Sequence, residues 1–243
     1  MGLFIRLTMR FLPINKLNVP NLLSLNAGFV DTIGFLVLHG LFTAHVTGNF
    51  VTLGASLVLG TSGAIAKILA LPIFCAVVLL TRLSRYQLVQ RGFPILRTFL
   101  YLMFALLMLS AVLAVWLGPF KDGDSLPAIV TGMAMVMAMA IQNAVQKVHL
   151  ADAPPTTLMT GTTTQIMLDF ADLLHGLSGQ ELAGAKTRLA RMVASLAVFA
   201  LGCAAGALAF MTLGVWCFVF PPLFVLCTCL SSKSAPILLN PMP

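Results

Sequence analysis

Long apolar stretches alternate with short polar connections along most of the chain. Each stretch holds about 20 residues, the length that an α-helix needs to cross the hydrocarbon core of a bilayer. We therefore predict an all-α, polytopic membrane helical bundle with about six full spans. The predicted spans cover residues 19–41, 65–83, 98–117, 127–146, 189–210 and 213–230.

Two shorter segments, residues 48–60 and 161–174, interrupt this series. Each follows a long span, and they share a register in which Thr47 corresponds to Thr160, an offset of 113 positions (160 − 47). At 1.5 Å per residue, residues 48–60 reach only about 20 Å, too short for a hydrocarbon core of about 30 Å. We interpret both segments as re-entrant or broken helices; capped helices on the membrane surface are the alternative.

The distribution of basic residues discriminates between two topologies. If neither short segment crosses and the N-terminus is cytoplasmic, 12 of the 14 Lys and Arg residues face the cytoplasm, with Lys67 and Lys121 outside. If both short segments cross, only 9 of the 14 do. Because cytoplasmic loops are rich in Lys and Arg, we favour the first topology, with both termini cytoplasmic. Three crossings per half then give two inverted-topology repeats.

This topology divides the chain into five parts. The sequence predicts a cytoplasmic N-terminal segment (1–18), a first membrane repeat (19–117), an external loop (118–126), a second membrane repeat (127–230) and a C-terminal tail (231–243). No small-residue cleavage site precedes the first span, so we expect the N-terminal segment to be retained.

The composition favours a membrane protein over other classes. Hydrophobic residues make up 59% of the 243 residues and charged residues only 9%, with a mean hydropathy of +1.01; about a quarter of a soluble protein is charged. The net charge of +7 lies in loops between spans, which indicates orientation in the membrane, and we expect no nucleic-acid partner. Nucleotide-binding motifs, catalytic motifs and paired metal-ligand spacings are not found, so we expect no enzyme, cofactor or metal.

Asp31 is the principal candidate for chemistry in the first half. On a helix of 100° per residue it shares a polar arc with Gly28, Thr32 and His39. A carboxylate near mid-span costs about 2.5–3.5 kcal/mol even on the lenient insertion scale. It is either a proton, cation or ligand site or a hydrogen-bonded group that holds helices together. His45 could serve as a gate or proton acceptor, or be an interfacial residue bonded to backbone; nothing in the sequence shows that it touches Asp31.

In the second half, the candidate polar residues within a span are amides instead of a carboxylate. Gln142 and Asn143 could cap a broken helix, contact a ligand or hydrogen-bond to a neighbouring helix. At each short segment a threonine can serve as N-cap, and the following glycine lets the backbone approach a ligand. A buried helix N-terminus also suits an anion or a polar group. The candidate substrate or ion site comprises Asp31, Gly28, His45, Thr47, Gly48, Asn49, Gln142, Asn143, Thr160, Gly161, Thr162, Gln165 and Asp169.

Small residues in the fifth span have a plainer interpretation. Gly202 and Gly206 form a GxxxG pattern, which is typical of close helix packing in membranes. We predict a packing role for them.

Two motifs carry a resemblance to a known family. The first is Asn26-Ala-Gly-Phe-Val-Asp31 followed by Gly40-Leu-Phe-Thr-Ala-His-Val-Thr-Gly-Asn49, and the second is Ala140-Ile-Gln-Asn-Ala144 with Thr157-Leu-Met-Thr-Gly161. Over residues 20–230 the chain resembles the YoaK-like bacterial membrane proteins, which share the domain of unknown function DUF1275. Where that family often has an Arg after the Gln-Asn stretch, this chain has Gln146 and Lys147. The resemblance implies a multi-pass protein of the bacterial inner membrane, sometimes described loosely as a permease, and implies no substrate.

The sequence thus favours a secondary transporter or permease for a small solute or ion, with its site between the two repeats at the helix breaks. A channel-like pore lined by the same polar stripes and a non-transporting assembly or partner protein are the alternatives. The expected partners are the lipid bilayer and an unidentified substrate, and the sequence is compatible with a homo-oligomer.

Overall fold

The computed structural model describes residues 18–157, 159–176 and 178–232. Most of the predicted N-terminal segment and C-terminal tail therefore lie outside the described residues. We number the α-helices in chain order. They are α1 (Val19–Val37), α2 (Asn49–Leu59), α3 (Ala64–Gln90), α4 (Ile95–Leu117), α5 (Leu126–His149), α6 (Met159–His175), α7 (Gly179–Leu213) and α8 (Phe220–Ser232), with 3-10 helices at Val46–Gly48 and Gly214–Val219.

The predicted all-α membrane bundle is confirmed. Four stretches are long and apolar enough to cross a bilayer: Ala64–Gln90, Ile95–Leu117, Leu126–His149 and Gly179–Ser231, the last of which contains both α7 and α8. The 19 residues of α1 are not among these four stretches, and most of them are buried. They form the core of the bundle together with α5.

The first and last predicted spans differ from the observed helices at their ends. α1 ends at Val37 instead of residue 41, because His39 (φ 53°) and Gly40 (φ 83°) adopt the left-handed conformation that ends helices. His39 therefore leaves the polar arc predicted for it. The last span begins as the 3-10 helix Gly214–Val219, and α8 starts at Phe220, just before two prolines that suit a first helical turn.

After α1 the chain doubles back into the bundle. The backbone N–H groups of Thr43 and Ala44 donate to Asp31 Oδ1, each at 2.8 Å. Asp31 lies six residues before the end of α1, about 9 Å along its axis. α2 then returns the chain to where it entered, since Ser62 Oγ lies 3.2 Å from His39 Nδ1. We call residues 38–62 the first return segment.

The chain after α5 follows a similar path. Thr156 Oγ1 accepts a hydrogen bond from Gln142 Nε2 at 3.1 Å, and Thr157 Oγ1 donates to Asn143 Oδ1 at 2.7 Å. Both amides lie six or seven residues before the end of α5, about 10 Å along its axis. From there α6 leads away to the start of α7. We call residues 150–178 the second return segment.

The two return segments enter from opposite ends of the bundle. At one end, which we call distal, His39 Nε2 lies 3.0 Å from the Phe120 carbonyl oxygen, and Asp124 accepts a hydrogen bond from Gly63 N–H at 2.9 Å. α1 therefore ends where α3 and α5 begin. At the other end, which we call proximal, Ser195 Oγ lies 2.9 Å from Ser24 Oγ. α1 and α5 consequently run in opposite directions.

Asp124, in the loop between α4 and α5, caps the first turn of α3. Its carboxylate accepts hydrogen bonds from Gly63 N–H and from Ile65 N–H, the latter at 2.8 Å. Partial burial acts to raise the pKa of Asp124. The backbone hydrogen bonds from Ile65, Gly63 and Ala64 outweigh it and hold that pKa below its usual value. The cap joins the two halves at the distal end.

The helix pairs of the first four helices have counterparts among the last four. α1 packs on α7 as α5 packs on α3; α4 packs on α5 as α8 packs on α1; and α2 packs on α3 as α6 packs on α7. α4 and α8 pack on each other, and α1 also contacts α5. The two halves are therefore interlocked, since the core helix of each one packs on two helices of the other.

The closest helix contact is that of α1 with α7. A Cβ added at Gly202 would lie 2.2 Å from the Leu25 carbonyl oxygen, and one at Gly28 would lie 2.2 Å from the Phe199 carbonyl oxygen. Gly206 approaches the Phe29 carbonyl in the same way, at 3.0 Å. The packing role predicted for the GxxxG pattern is confirmed.

Candidate functional site

Asp31 and His45 form a direct pair, which the sequence did not reveal. His45 Nδ1 lies 2.5 Å from Asp31 Oδ2, while Asp31 Oδ1 takes the two N–H groups of the first return segment. The Asp31 side chain is buried, whereas a third of the His45 side chain (33%) is exposed. The carboxylate thus has fixed partners on both oxygens, and the imidazole is the part that an outside group can reach.

The surroundings of His45 connect this pair to α7. The imidazole lies edge-on to Phe199, with ring centroids 5.6 Å apart, and 6.5 Å from the Phe42 ring centroid. Phe199 belongs to the turn of α7 that packs against Gly28. His45 therefore contacts the part of α7 that packs closely on α1.

The remaining predicted residues of the first half shape the return segment. Asn49 accepts a hydrogen bond from Phe42 N–H at 2.8 Å and donates to the Phe42 carbonyl at 2.7 Å, so that its amide closes the loop. Thr47 is exposed. It does not cap α2 as we predicted, because residues 46–48 already form a 3-10 turn that leads into the helix without a side-chain cap. Gly48 sits against the Phe42 ring, where a Cβ would approach to 3.0 Å.

Buried amides join the second return segment to both core helices. Gln142 Nε2 donates to the Leu23 carbonyl at 2.9 Å as well as to Thr156, and Gln142 Oε1 accepts from Asn26 Nδ2 at 3.2 Å. Asn26 is fully buried, and its Oδ1 has no partner within the described residues. Asn26 lies five residues before Asp31, so about 8 Å of α1 separates the two polar clusters.

Some of the predicted residues on α6 are exposed and others are buried against the bundle. Thr160 and Gly161 are exposed and Thr162 is buried. Asp169 is fully buried and accepts two hydrogen bonds from Arg188 of α7, at 2.8 and 2.7 Å, while Gln165 Nε2 donates to it at 2.9 Å. This bidentate pair fastens α6 to α7. Its counterpart in the first half joins Lys67 Nζ to Ser56 Oγ at 2.5 Å.

The structure therefore brings the predicted residues into two clusters and one helix clamp. Asp31, His45 and Asn49 hold the first return segment, Gln142 and Asn143 hold the second, and Asp169 with Gln165 holds α6. Gly28 serves helix packing. The first cluster is bonded within its own half, whereas Gln142 of the second also bonds to Leu23 and Asn26 of the first half and so links the halves.

Several residues of these clusters were not among the predicted ones. Thr43 and Ala44 contribute through their backbone N–H groups, which no side-chain pattern reveals. Asn26 and Thr156 were within reach of sequence reasoning. Asn26 is an isolated amide in an apolar span, and Thr156 lies 113 positions after Thr43 (156 − 43), the offset that relates the two short segments.

A cavity of about 320 Å³ lies between α3, α4 and α5 near the proximal end. Asn143 is the member of the predicted site that lines it. The cavity is otherwise bounded by Thr81 and by apolar and basic side chains, which belong to none of the clusters above.

Fold and clusters define a helical membrane protein with two chain segments that turn back inside the bundle. The chain belongs to the family described as protein of unknown function DUF1275, whose model matches residues 20–231. The resemblance carried by the two sequence motifs is thus confirmed. Comparison with curated proteins found no match, and comparison with solved structures found none either.

Proposed function

We propose that this protein is a secondary transporter or permease for a small solute or ion, built from two inverted-topology repeats. The corresponding helix pairs and the opposite directions of α1 and α5 support the repeat. An inverted repeat around a central site is a common architecture of secondary transporters. Localisation in the bacterial inner membrane is part of the proposal, and the resemblance to the YoaK-like bacterial membrane proteins supports it.

The observation that carries the proposal is non-helical backbone held at mid-bundle depth by polar side chains. Within a bilayer such backbone is tolerated only where protein buries it or where it lines a cavity. Here Asp31 satisfies two N–H groups of the first return segment, and Gln142 and Asn143 hold the second. In this proposal both segments are re-entrant and mark the substrate path between the halves.

The orientation follows from the basic residues at the proximal end. Arg85 and Lys147 line one cavity there, and Arg91 and Arg97 flank the turn between α3 and α4. By the positive-inside rule, we propose that the proximal end faces the cytoplasm. In this proposal the first return segment enters from the outside and the second from the cytoplasm, as expected of two repeats with inverted topology.

The Asp31–His45 pair is the protonatable element of the proposed mechanism. A carboxylate and an imidazole 2.5 Å apart can share or release a proton, and intramembrane ionisable groups of this kind mark proton or ion pathways. Loss of the pair would free His45 from α1 and relax its contact with Phe199 on α7.

The test is uptake by proteoliposomes that contain the purified full-length chain and a trapped pH-sensitive dye. A panel of amino acids, organic acids, amines and metal ions is offered with and without an imposed pH gradient. We expect at least one solute to enter with saturable, gradient-dependent kinetics. Asp31→Asn and His45→Gln should abolish the gradient dependence, whereas Asp172→Asn and His175→Gln, the same changes at exposed positions of α6, should leave it intact.

Two outcomes would replace this proposal with its alternatives. Non-saturating flux that ignores the gradient would indicate a channel-like pore. No flux across the panel, with Asp31→Asn affecting only stability, would indicate a non-transporting protein. The latter alternative has one observation in its favour, since both carboxylate oxygens of Asp31 already have partners in the first return segment.

A further inference from the structure

The cavity between α3, α4 and α5 combines an apolar wall with a basic rim. Phe74 and Val78 of α3, Phe99 of α4, and Val145 and Val148 of α5 supply apolar lining. Such a wall suits an acyl chain but selects no headgroup, because apolar contacts carry no directional information.

Four basic side chains line the same cavity: Arg82 and Arg85 from α3, and Lys147 and His149 from α5. The ion pairs of the described residues lie elsewhere, at Asp31 and Asp169. Within the described chain, then, no carboxylate neutralises this group, and it presents concentrated positive charge beside an apolar surface.

Two buried nitrogen atoms of this group lack an acceptor. Arg85 Nε and His149 Nε2 are shielded from solvent and have no hydrogen-bond partner among the described residues. Arg85 Nε is always a donor, and His149 Nε2 is one whenever it carries the proton. A buried donor without a partner is destabilising, and more so on a charged group. A ligand with several acceptor oxygens would satisfy both.

We infer that this cavity binds the phosphate headgroup of an anionic phospholipid, with the start of an acyl chain against the apolar wall. Phosphate oxygens match the planar guanidinium of Arg85 and accept from its neighbours. Basic pockets between membrane helices on the cytoplasmic side suit anionic headgroups. A soluble phosphate shares the headgroup chemistry but would leave the apolar wall unused. The inference does not depend on transport activity.

The test counts lipids retained by the purified full-length chain in native mass spectrometry, from micelles that contain phosphatidylcholine and phosphatidylglycerol. We expect the wild type to retain phosphatidylglycerol selectively. The Arg82→Gln/Arg85→Gln variant should lose affinity by at least about tenfold, because each basic residue near the membrane surface contributes roughly a kcal/mol to anionic lipid binding. The matched control Arg91→Gln/Arg97→Gln removes two charges that do not line the cavity and should bind as the wild type does.

A second variant keeps the inference testable if the arginine variant fails to fold. Val148→Phe leaves every charge in place and fills the cavity, so it should also reduce phosphatidylglycerol retention. Equal weakening by both arginine pairs would overturn the inference in favour of general surface charge. Displacement of the lipid by inorganic phosphate or glycerol 3-phosphate at similar concentration would assign the site to a soluble phosphate instead.

Discussion

The first return segment is held by a carboxylate and the second by amides, although both follow the same path beside a core helix. Asp31 fixes two backbone N–H groups and an imidazole, whereas Gln142 and Asn143 bond to the hydroxyls of Thr156 and Thr157. Hydrogen bonds to an ionised group are roughly twice as strong as neutral ones. The path is therefore set by the fold, while the strength of the attachment differs between the halves.

The second difference lies in the hairpin that follows each return. α2 and α3 have 11 and 27 residues, and α6 and α7 have 17 and 35. The added turns carry Asp172, Glu181, Lys186 and Arg191, all exposed. They extend the proximal end beyond the rest of the bundle, since Arg191, twelve residues into α7, already contacts the Asp152 carbonyl. The longer hairpin thus extends beyond the bundle at the end that the proposed topology assigns to the cytoplasm.

The largest expected effect tests the difference in attachment. Asp31→Ala leaves the N–H groups of Thr43 and Ala44 buried without acceptors, at about 1–3 kcal/mol each, or roughly 2–6 kcal/mol in total. Asn143→Ala removes two neutral hydrogen bonds, with Thr157 and with the Met139 carbonyl, worth about 1 kcal/mol each. Thermal unfolding in detergent should rank the two accordingly, and amide hydrogen exchange should show Thr43 and Ala44 losing protection in Asp31→Ala alone. Equal destabilisation by the two variants would show that the carboxylate has no special role.

The next effect concerns the contact that locks the halves together. Gly202→Ala places a methyl group 2.2 Å from the Leu25 carbonyl oxygen, which forces α1 and α7 apart at about 1–3 kcal/mol. Gly184→Ala, on the same helix, meets nothing within 4 Å and should stabilise slightly, because alanine is the better helix former. The measurement is the thermal unfolding midpoint of each variant, compared with that of the wild type. A Gly202→Ala protein as stable as Gly184→Ala would contradict the close packing.

A third effect compares the two hairpin clamps. Arg188→Gln leaves Asp169 charged, fully buried and bonded only to Gln165. Because Arg188 itself is half exposed (51%), we expect a loss of about 1–3 kcal/mol, below that of a fully buried pair. Lys67→Gln leaves only the neutral Ser56 hydroxyl and should cost less. Adding Asp169→Asn to Arg188→Gln should restore part of the stability; a double variant worse than the single would rule out an unpaired charge as the cause.

The smallest effect is the pH dependence of the Asp124 cap on α3. The folded-state pKa of Asp124 is depressed, so its cap stabilises α3 above the usual carboxyl pKa and is lost as the pH falls through the folded-state pKa. Ser178, at the start of α7, makes no side-chain cap. Asp124→Asn should lower stability by about 1 kcal/mol at neutral pH and flatten the acid limb of the stability curve. If this variant lost stability at acid pH as the wild type does, other carboxyl groups would be responsible for that loss.

Much of the fold follows from sequence because bilayer thickness and hydrophobicity fix helix number and position. The ends are less predictable. α1 ends at Val37 because His39 adopts a left-handed conformation, which the sequence does not predict for a residue other than glycine. The cap assigned to Thr47 was wrong because a 3-10 turn takes up the preceding residues.

The sequence predicted which residues form the candidate site better than it predicted which of them are in contact. Asp31 and His45 stand out as polar groups in apolar surroundings, but their contact depends on the chain reversing after α1. The offset of 113 related Ser56 to Asp169 (169 − 56). It could not find Lys67 and Arg188, since they lie 11 and 19 residues beyond those positions and the second hairpin is longer.

The most direct test of the account is the sidedness of four single cysteines at Asn18, Thr61, Asp122 and Gly176, in a background without the five native ones. A membrane-impermeant maleimide is applied to intact spheroplasts and to inverted vesicles. If both return segments re-enter and the halves are inverted, Thr61→Cys and Asp122→Cys label from outside, and Asn18→Cys and Gly176→Cys label only from the cytoplasmic side. Labelling of Asn18→Cys and Thr61→Cys from the same side would mean that the first segment crosses the membrane, and the account would be wrong.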